Sequence, residues 1–331
     1  MTSTTDATPS QPAPQPSSQP GDGTYGELRA QLATLTTEAF RPELSEIDRL
    51  PTQEIARIMN GEDATVPAAV AEQLPAIAAA IDGTAERMAR GGRLIYAGAG
   101  TAGRLGVLDA SECPPTFNTD PSEVVGLIAG GPSAMVTAVE GAEDSKELAA
   151  QDLADLDLTA DDVVVGISAS GRTPYAIGAV EHARERYGAL TIGLSCNADS
   201  ALAAAAEHGI EVVVGPELLT GSTRLKAGTA QKLVLNMLST ITMIRLGKTY
   251  GNLMVDVRAS NEKLRARSRR IVALATGACD EEIEAALAAT DGEVKNAILT
   301  ILGGVDAATA ADLLTDSSGH LRAALDAARA T

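Results

Sequence analysis

Residues 163–175, VVVGISASGRTPY, and residues 94–106, LIYAGAGTAGRLG, decide the fold. Each stretch starts as a short apolar run of the kind that forms a buried strand. Each then enters a turn rich in Gly, Ser or Thr and continues into a helical pattern. Strand–turn–helix units of this type build βαβ folds, so both stretches predict strands of one parallel sheet.

The same alternation of apolar runs and helical patterns extends from about residue 90 to residue 250. It predicts an α/β fold in which a parallel sheet lies between two layers of helices, a three-layer sandwich. The predicted strands are 93–97, 124–129, 163–168, 190–195 and 211–214. The predicted helices include 133–153, 175–187, 200–207 and a long one over 225–246.

Three regions are predicted along the chain. Residues 1–25 are dominated by Ser, Pro, Gln and Thr without an apolar run, so we expect a disordered tail. Residues 26–270 form the α/β domain, which begins with helices over about 27–90. Residues 271–331 contain short helical patterns separated by Gly, Asp or Ser, and they predict a small helical domain that serves as a lid or a dimer element.

Composition and charge exclude several classes of function. The formal net charge of −18 argues against nucleic acid or an anionic membrane as a partner, because both need basic patches. No apolar run reaches membrane-spanning length, and the N-terminus lacks the features of a signal peptide, so we expect a cytoplasmic protein. The three Cys and three His residues are scattered, which predicts neither a disulfide framework nor a metal site.

The turn after residue 167 carries the features of an anion site. Hydroxyls of Ser168, Ser170 and Thr173 stand with Gly171 where a strand meets a helix N-terminus, and the backbone N–H groups there are unpaired. One such turn by itself is commonly an ordinary helix cap. Two of them on one parallel sheet both lie at its carboxyl edge, where open sheets bind ligands, so we predict a phosphate site.

The other turn matches the GxGxxG pattern of dinucleotide sites, beginning at Gly98. A dinucleotide site also needs an acidic residue at the end of the next strand, to hold the ribose hydroxyls. Here the next strand ends in Ala-Gly-Gly, and Glu123 precedes it. This disfavours a nicotinamide cofactor and leaves Gly100 and Thr101 as predicted phosphate ligands.

Several longer motifs resemble one family. SASGRTP at 168–174 resembles the Ser-rich phosphate loop of sugar isomerase (SIS) domains, which bind phosphosugars. From about residue 45 to residue 330 the chain resembles the N-acetylmuramic acid 6-phosphate etherases. The matching motifs are IDRLPTQEIARIMNGED (47–63), AGAGTAGRLGVLDASECPPTF (97–117), GLIAGG (126–131), AVEGAEDS (138–145), GPELLTGSTRLKAGTAQKLVLNMLST (215–240) and GNLMVDV (251–257). One departure is Ala102, where the family commonly has Ser; if that hydroxyl normally contacts phosphate, a hydrogen bond of about 1–2 kcal/mol is missing.

The resemblance implies an SIS-type fold and an enzyme that needs no cofactor. The implied substrate is N-acetylglucosamine 6-phosphate with D-lactate ether-linked at C3. Opening the sugar acidifies the C2 proton, so loss of that proton can expel lactate before water adds at C3. By resemblance both Glu112 and Glu143 are catalytic. We assign Glu112 as the acid that protonates lactate and then activates water, and Glu143 to proton transfer at C2 or ring opening.

Further ligands of the phosphosugar are expected. Arg104 follows the first turn, and the stretch 215–231 carries groups that we expect to reach the sugar or the lactyl carboxylate, within one chain or across a subunit boundary. These candidates are Glu217, Ser222, Arg224 and Lys226. The alternative is that this stretch is a turn and helix cap that supports the fold. SIS domains often complete their pocket with a neighbouring subunit, so we expect a homodimer to which residues 233–246 contribute.

Two other functions compete with an etherase. A sugar-phosphate sensor resembling the glucokinase regulatory proteins would share the phosphate loops and the GxxGSxRxKxG pattern but would need no proton transfer. An aldose–ketose phosphosugar isomerase would also remove a C2 proton but would act without an ether. The ASECPP stretch around Glu112 favours the etherase over the sensor, since it resembles an etherase feature that we do not associate with the regulatory proteins.

Overall fold

A five-stranded parallel sheet forms the centre of the protein. The computed structural model describes residues 34–257 and 262–330, so the predicted tail over 1–25 lies outside the described residues. The strands are β1 (Leu94–Gly98), β2 (Val124–Ile128), β3 (Val163–Ile167), β4 (Leu190–Ser195) and β5 (His208–Glu211), followed by a short antiparallel pair, β6 (Thr249–Tyr250) and β7 (Leu253–Met254). All neighbours in the central sheet are parallel, in the order β2-β1-β3-β4-β5.

This strand order contains one topological switch point. The chain crosses from β1 to β2 on one side and returns to β3 on the other side of β1. Doubly wound sheets of this order bind ligands at the carboxyl ends of the two strands that flank the switch. Those strands are β1 and β3, whose last residues, Gly98 and Ile167, are paired in register.

Helices cover both faces of the sheet, which confirms the predicted three-layer α/β fold. Alternating side chains of β1 divide between two cores: Leu94 and Tyr96 face one, and Ile95 and Ala97 face the other. The helices are α1 (Thr52–Asp63), α2 (Val66–Glu72), α3 (Leu74–Met88), α4 (Gly100–Phe117), α5 (Lys146–Ala154), α6 (Pro174–His182, extended by a π-turn to Tyr187), α7 (Ala201–Ala205), α8 (Lys226–Arg245), α9 (Glu262–Thr276), α10 (Asp280–Ala289), α11 (Val294–Gly303), α12 (Ala307–Asp316) and α13 (Leu321–Ala330).

The helix predicted over 133–153 is wrong in its first half. Only Lys146–Ala154 is α-helical, because Ser145 caps the helix by accepting the Leu148 N–H at its hydroxyl, 3.0 Å away. Before the cap, Gly141 adopts a φ of +77°, which a helix does not allow. The preceding residues form two 3₁₀ turns, Pro132–Met135 and Ala142–Asp144.

The fifth strand lies earlier than predicted. The apolar run 211–214 suggested a strand, but β5 spans His208–Glu211. Its pairing with β4 ends at Ser195, to whose carbonyl Val212 still donates its N–H at 2.9 Å. Val214 lies beyond the partner strand, and both valines are buried in the core.

A second hydrophobic core lies in the C-terminal helices. Its buried residues come from α9 to α13 and also from Val255 and Val257, before the domain boundary predicted at 270. We therefore propose that the boundary lies near β6, earlier than expected. Within the described residues, no single helix has the length and apolar character needed to cross a bilayer, although two sharply bent helix pairs would meet those criteria jointly.

Candidate active site

The two predicted phosphate turns lie side by side at the carboxyl edge of the sheet. The first turn leads from β1 into α4, which begins at Gly100, and the second leads from β3 into α6, which begins at Pro174. Because Gly98 and Ile167 are direct neighbours in the ladder, the two helix N-termini open onto the same side of the sheet edge. The predicted convergence of the two turns is thus observed.

Three hydroxyls meet in the second turn. Ser168 Oγ lies 2.8 Å from Thr173 Oγ1 and 3.2 Å from Ser170 Oγ. It also accepts the backbone N–H of Gly171 at 3.0 Å. The turn therefore offers hydroxyl donors beside the positive end of a helix, an environment that suits a phosphate.

Gly171 is required by the shape of this turn. Its φ is +68°, in the left-handed region that favours glycine. A Cβ there would lie 2.4 Å from the Cβ of Ser200, so the adjacent segment leaves no space for a side chain.

A cavity of about 590 Å³ opens above the two turns. It brings together both predicted phosphate turns and the predicted catalytic residue Glu143. Among the described residues, no group of three or more His, Cys, Asp or Glu side chains is arranged to hold a metal ion. The lining residues are Leu35, Glu38, Ala99, Gly100, Thr101, Ala102, Glu143, Asp144, Ser168, Ala169, Ser170, Arg172, Thr173, Pro174, Thr223 and Gln231.

Arg104 supports the segment that carries Glu143 and does not line this cavity. Its guanidinium donates to the carbonyl oxygens of Met135 and Ala134, at 3.0 and 2.7 Å. It borders a smaller adjoining cavity of about 140 Å³, which Glu143 and Gly100 also line. Arg104 thus fixes the chain between β2 and the turn of Glu143.

Glu112 lies far from the cavity of its own chain. Its side chain is exposed on α4, and at about 1.5 Å per residue its Cα is about 18 Å from that of Gly100. Pro114 and Pro115, residues of a type that commonly ends or kinks a helix, do not end α4. The helix passes through both prolines to Phe117, which is buried, and Asn118, at a φ of +52°, donates its N–H to the Pro114 carbonyl.

The structure gives Glu217 a capping role. Its carboxylate is completely buried and accepts the backbone N–H groups of Lys226 and Ala227 at 2.9 and 3.0 Å. These are the first residues of α8, so Glu217 satisfies donors that the helix start would leave unpaired. Glu217 does not line the cavity, and its predicted contact with a sugar stays a prediction. The alternative of a helix cap fits this residue.

The neighbouring candidates also lie outside the cavity. Lys226 is 4% exposed and its ammonium lies 2.9 Å from Glu62, which is also paired with Arg41. Burial acts to raise the pKa of Glu62, but the hydrogen bonds from Lys226 and Arg41 outweigh it and hold that pKa below its usual value. Arg224 is exposed and Ser222 half-buried, and neither lines the cavity, whereas Thr223 between them does.

Five polar lining residues were not predicted as site residues: Glu38, Asp144, Arg172, Thr223 and Gln231. Glu38 enters from the segment before α1, Thr223 from the loop before α8, and Gln231 from the second turn of α8. Gln231 is 1% exposed, and its Nε2 has no hydrogen-bond partner among the described residues. The sequence GTAQKL did not predict a buried residue at the cavity, because a Gln inside a helix is ordinarily a surface residue.

Comparison with known proteins agrees with this geometry. Residues 76–184 match the family model of the glucokinase regulatory protein N-terminal SIS domain, and residues 137–241 match the SIS domain model. A phosphoheptose isomerase structure from Francisella tularensis aligns at 20% identity over 59% of this chain and 100% of its own, with a TM-score of 0.45. The fold and paired turns define an SIS-domain protein.

Curated relatives narrow this class. The N-acetylmuramic acid 6-phosphate etherase of Streptomyces avermitilis is 87% identical over 92% of this chain and 97% of its own length. Those of Rubrobacter xylanophilus and Vibrio vulnificus are 60% and 56% identical, each over 90% of this chain and at least 98% of their own. The chain belongs to the N-acetylmuramic acid 6-phosphate etherase family.

Proposed function

We propose that this enzyme cleaves the C3 lactyl ether of N-acetylmuramic acid 6-phosphate, releasing D-lactate and forming N-acetylglucosamine 6-phosphate during recycling of cell-wall amino sugars. The observation that carries this proposal is the single cavity that combines two phosphate-type turns with Glu143. A sensor needs the turns alone, whereas ether cleavage needs proton transfer beside them. Family membership supports the same activity.

The phosphate is bound by the two turns in this proposal. The N-termini of α4 and α6 supply backbone N–H groups, and Ser168, Ser170 and Thr173 supply hydroxyls. This arrangement attracts an anion locally although the chain carries a net charge of −18. Ala102 lines the cavity with a methyl group and contributes no hydroxyl.

Proton transfer follows in two steps on the open-chain sugar. Glu143 takes the C2 proton, the C3–O bond breaks, and the departing oxygen receives a proton from Glu112, which leaves a double bond between C2 and C3. Water then adds at C3 as Glu112 takes its proton, and Glu143 returns a proton to C2. Each carboxyl group ends in its starting state, so the cycle balances.

This chemistry requires a homodimer, because Glu112 of the same chain is about 18 Å from Gly100. A twofold axis near the middle of α4 would pack two copies of this helix antiparallel. Glu112 of one copy would then lie beside Gly100 of the other, as the symmetry of an isologous interface demands. The site would be incomplete in a monomer.

Exposed apolar side chains support this interface. Leu108 on α4 is 50% exposed, and Ile241 and Ile244 on the adjoining α8 are 37% and 45% exposed. The two isoleucines belong to the stretch 233–246 that was expected to contribute to a dimer. Sedimentation of Ile244→Glu, with Leu274→Glu as the exposed control on α9, tests the assignment. A wild-type monomer with full activity would refute it.

We also propose a cytoplasmic location from the chemistry of the substrate. A sugar phosphate is charged, and a charged group does not enter a lipid bilayer without a large cost. The enzyme must therefore reside where that phosphosugar is present.

A lactate assay tests the function directly. Purified wild-type protein should release lactate from N-acetylmuramic acid 6-phosphate, and Glu143→Gln should still bind inorganic phosphate but release none. Glucosamine 6-phosphate and fructose 6-phosphate should remain unchanged. Isomerisation of either, or phosphosugar binding without lactate release, would support an isomerase or a sensor instead.

A further inference from the structure

A short N-terminal strap, residues 34–40, forms one wall of the cavity. Leu35 and Glu38 line the cavity, and Thr36–Glu38 forms a single 3₁₀ turn. Leu35 and Thr37 are buried, at 5% and 0% exposure, so the strap is packed as part of the domain.

Asn197 anchors this strap at the carboxyl edge of the sheet. Its Oδ1 accepts the backbone N–H of Thr36 at 2.8 Å and the Thr36 hydroxyl at 2.9 Å. Its Nδ2 donates to Thr37 Oγ1 and to the carbonyl oxygen of Ala169, both at 3.0 Å. Ala169 lies between two hydroxyl residues of the phosphate turn, so the strap and that turn are held by one side chain.

The anchored turn directs Glu38 into the cavity. Its carboxylate lies against the loop that precedes α8, since a Cβ on Gly221 would be 2.8 Å from Glu38 Oε2. Arg41, the nearest cation along the chain, is paired with Glu43 and Glu62. Among the described residues, no Lys, Arg or His nitrogen lies within ion-pair distance of the Glu38 carboxylate.

The chemistry of a carboxylate limits what Glu38 can contact. An ionised carboxylate only accepts hydrogen bonds, so it repels phosphate and attracts hydroxyl or amide N–H donors. The phosphate turns line the same cavity, and the sugar ring is the part of the substrate that carries such donors. Glu38 therefore suits the ring end of the ligand.

We infer that Glu38 is a substrate-binding residue that accepts a hydrogen bond from a hydroxyl or the acetamido N–H of the sugar, with the strap as a fixed wall of the site. The inference rests on the proposed function, since it takes the ligand to be a phosphorylated N-acetyl sugar. It gives a role in substrate binding to a carboxylate of the cavity that Glu143 and Asp144 of the same chain also line.

The test compares kcat/KM for lactate release in wild type, Glu38→Gln, Glu38→Ala and the control Glu43→Gln. Loss of one charge-assisted hydrogen bond should lower kcat/KM about 10- to 100-fold in Glu38→Ala, and less in Glu38→Gln, which keeps one acceptor. Glu43→Gln should behave as wild type, because Glu43 is exposed and pairs only with Arg41. Inhibition by inorganic phosphate and the Tm should stay unchanged in all variants.

The outcomes separate this inference from the proposed function. A wild-type enzyme that releases no lactate overturns both. An active wild type together with Glu38→Ala activity within twofold overturns the Glu38 assignment alone. A loss of activity accompanied by weaker phosphate inhibition and a lower Tm also overturns it, because Glu38 would then act through the fold.

Discussion

Glu112 stands about 18 Å along α4 from Gly100, at which that helix meets the cavity. Glu143 borders the same cavity as Gly100. The two glutamates that the family resemblance pairs are therefore separated within one chain. In the proposed mechanism, which uses both glutamates, they come from two subunits.

Mixing two inactive variants tests this division. Glu112→Gln and Glu143→Gln should each release no lactate alone, but a mixed dimer has one site in which both glutamates are intact. Random pairing makes about half of the dimers mixed, and one of the two sites in each mixed dimer is active. Co-expression should therefore restore about a quarter of wild-type activity.

A matched control pairs Glu112→Gln with the double variant, which leaves every site with at least one altered glutamate. That mixture should stay inactive. If the two single variants also fail to complement while forming mixed dimers, Glu112 does not act across the interface.

Glu217 is expected to affect stability and leave substrate affinity unchanged. Replacing it with Ala removes both acceptors for the Lys226 and Ala227 N–H groups in a fully buried place. The free energy of unfolding should fall by about 1–3 kcal/mol, measured by denaturant titration. The KM should stay near the wild-type value. The exposed Glu207→Ala is the control, and a raised KM with unchanged stability would restore Glu217 as a ligand.

The sequence was most informative where the signal is local. The apolar runs before Gly98 and Ser168, followed by glycine and hydroxyl turns, were sufficient to predict strands, helix starts and their shared sheet edge. The sequence around Glu217 fits two roles, because a ligand and a helix cap both place a carboxylate beside a helix N-terminus. Local pattern cannot separate these two uses.

Long-range contacts explain what the sequence could not predict. Glu38 reaches the cavity because Thr36 is bonded to Asn197, 161 residues further along the chain. The apolar run after Glu211 resembled a strand, but the length of β4 decides where the pairing ends. In both cases the conformation of the segment is determined by the residues that it contacts, and not by its own sequence.

The pH dependence of stability should include a contribution from Asp162. Burial acts to raise its pKa, but the hydrogen bonds from Arg93 and Thr159 outweigh burial and hold that pKa below its usual value. A carboxyl group whose pKa is lower in the folded state than in the unfolded state stabilises the protein at pH values above the unfolded-state pKa of about 4. This stabilisation is lost as the pH falls through the folded-state pKa.

Asp162→Asn should therefore be less stable than wild type by about 3 kcal/mol at pH 7, because it leaves the half-buried Arg93 unpaired. The difference should shrink as the pH falls below about 4, where the Asp162 carboxyl of the unfolded chain becomes protonated, and it should be lost as the pH passes the lower folded-state pKa. Asp161→Asn is the matched control, since Asp161 and its partner Arg90 are both about half exposed and such pairs contribute less than about 1 kcal/mol. A constant difference between pH 7 and pH 3 would contradict the assignment.

Gln231 should show opposite effects on binding and on stability. Gln231 lines the cavity, and its buried Nε2 has no partner among the described residues. Gly228, one turn earlier, lies against Thr101 of the first phosphate turn. Gln231→Met keeps the length of the side chain but removes a buried N–H that costs free energy when unpaired. The Tm should stay equal or rise, while KM for the phosphosugar should increase about 5- to 10-fold through loss of one hydrogen bond. Lys232→Met, exposed on the next position of α8, should change neither quantity. A lower Tm with an unchanged KM would mean that the amide serves the fold, and thermal melts beside steady-state kinetics distinguish the two.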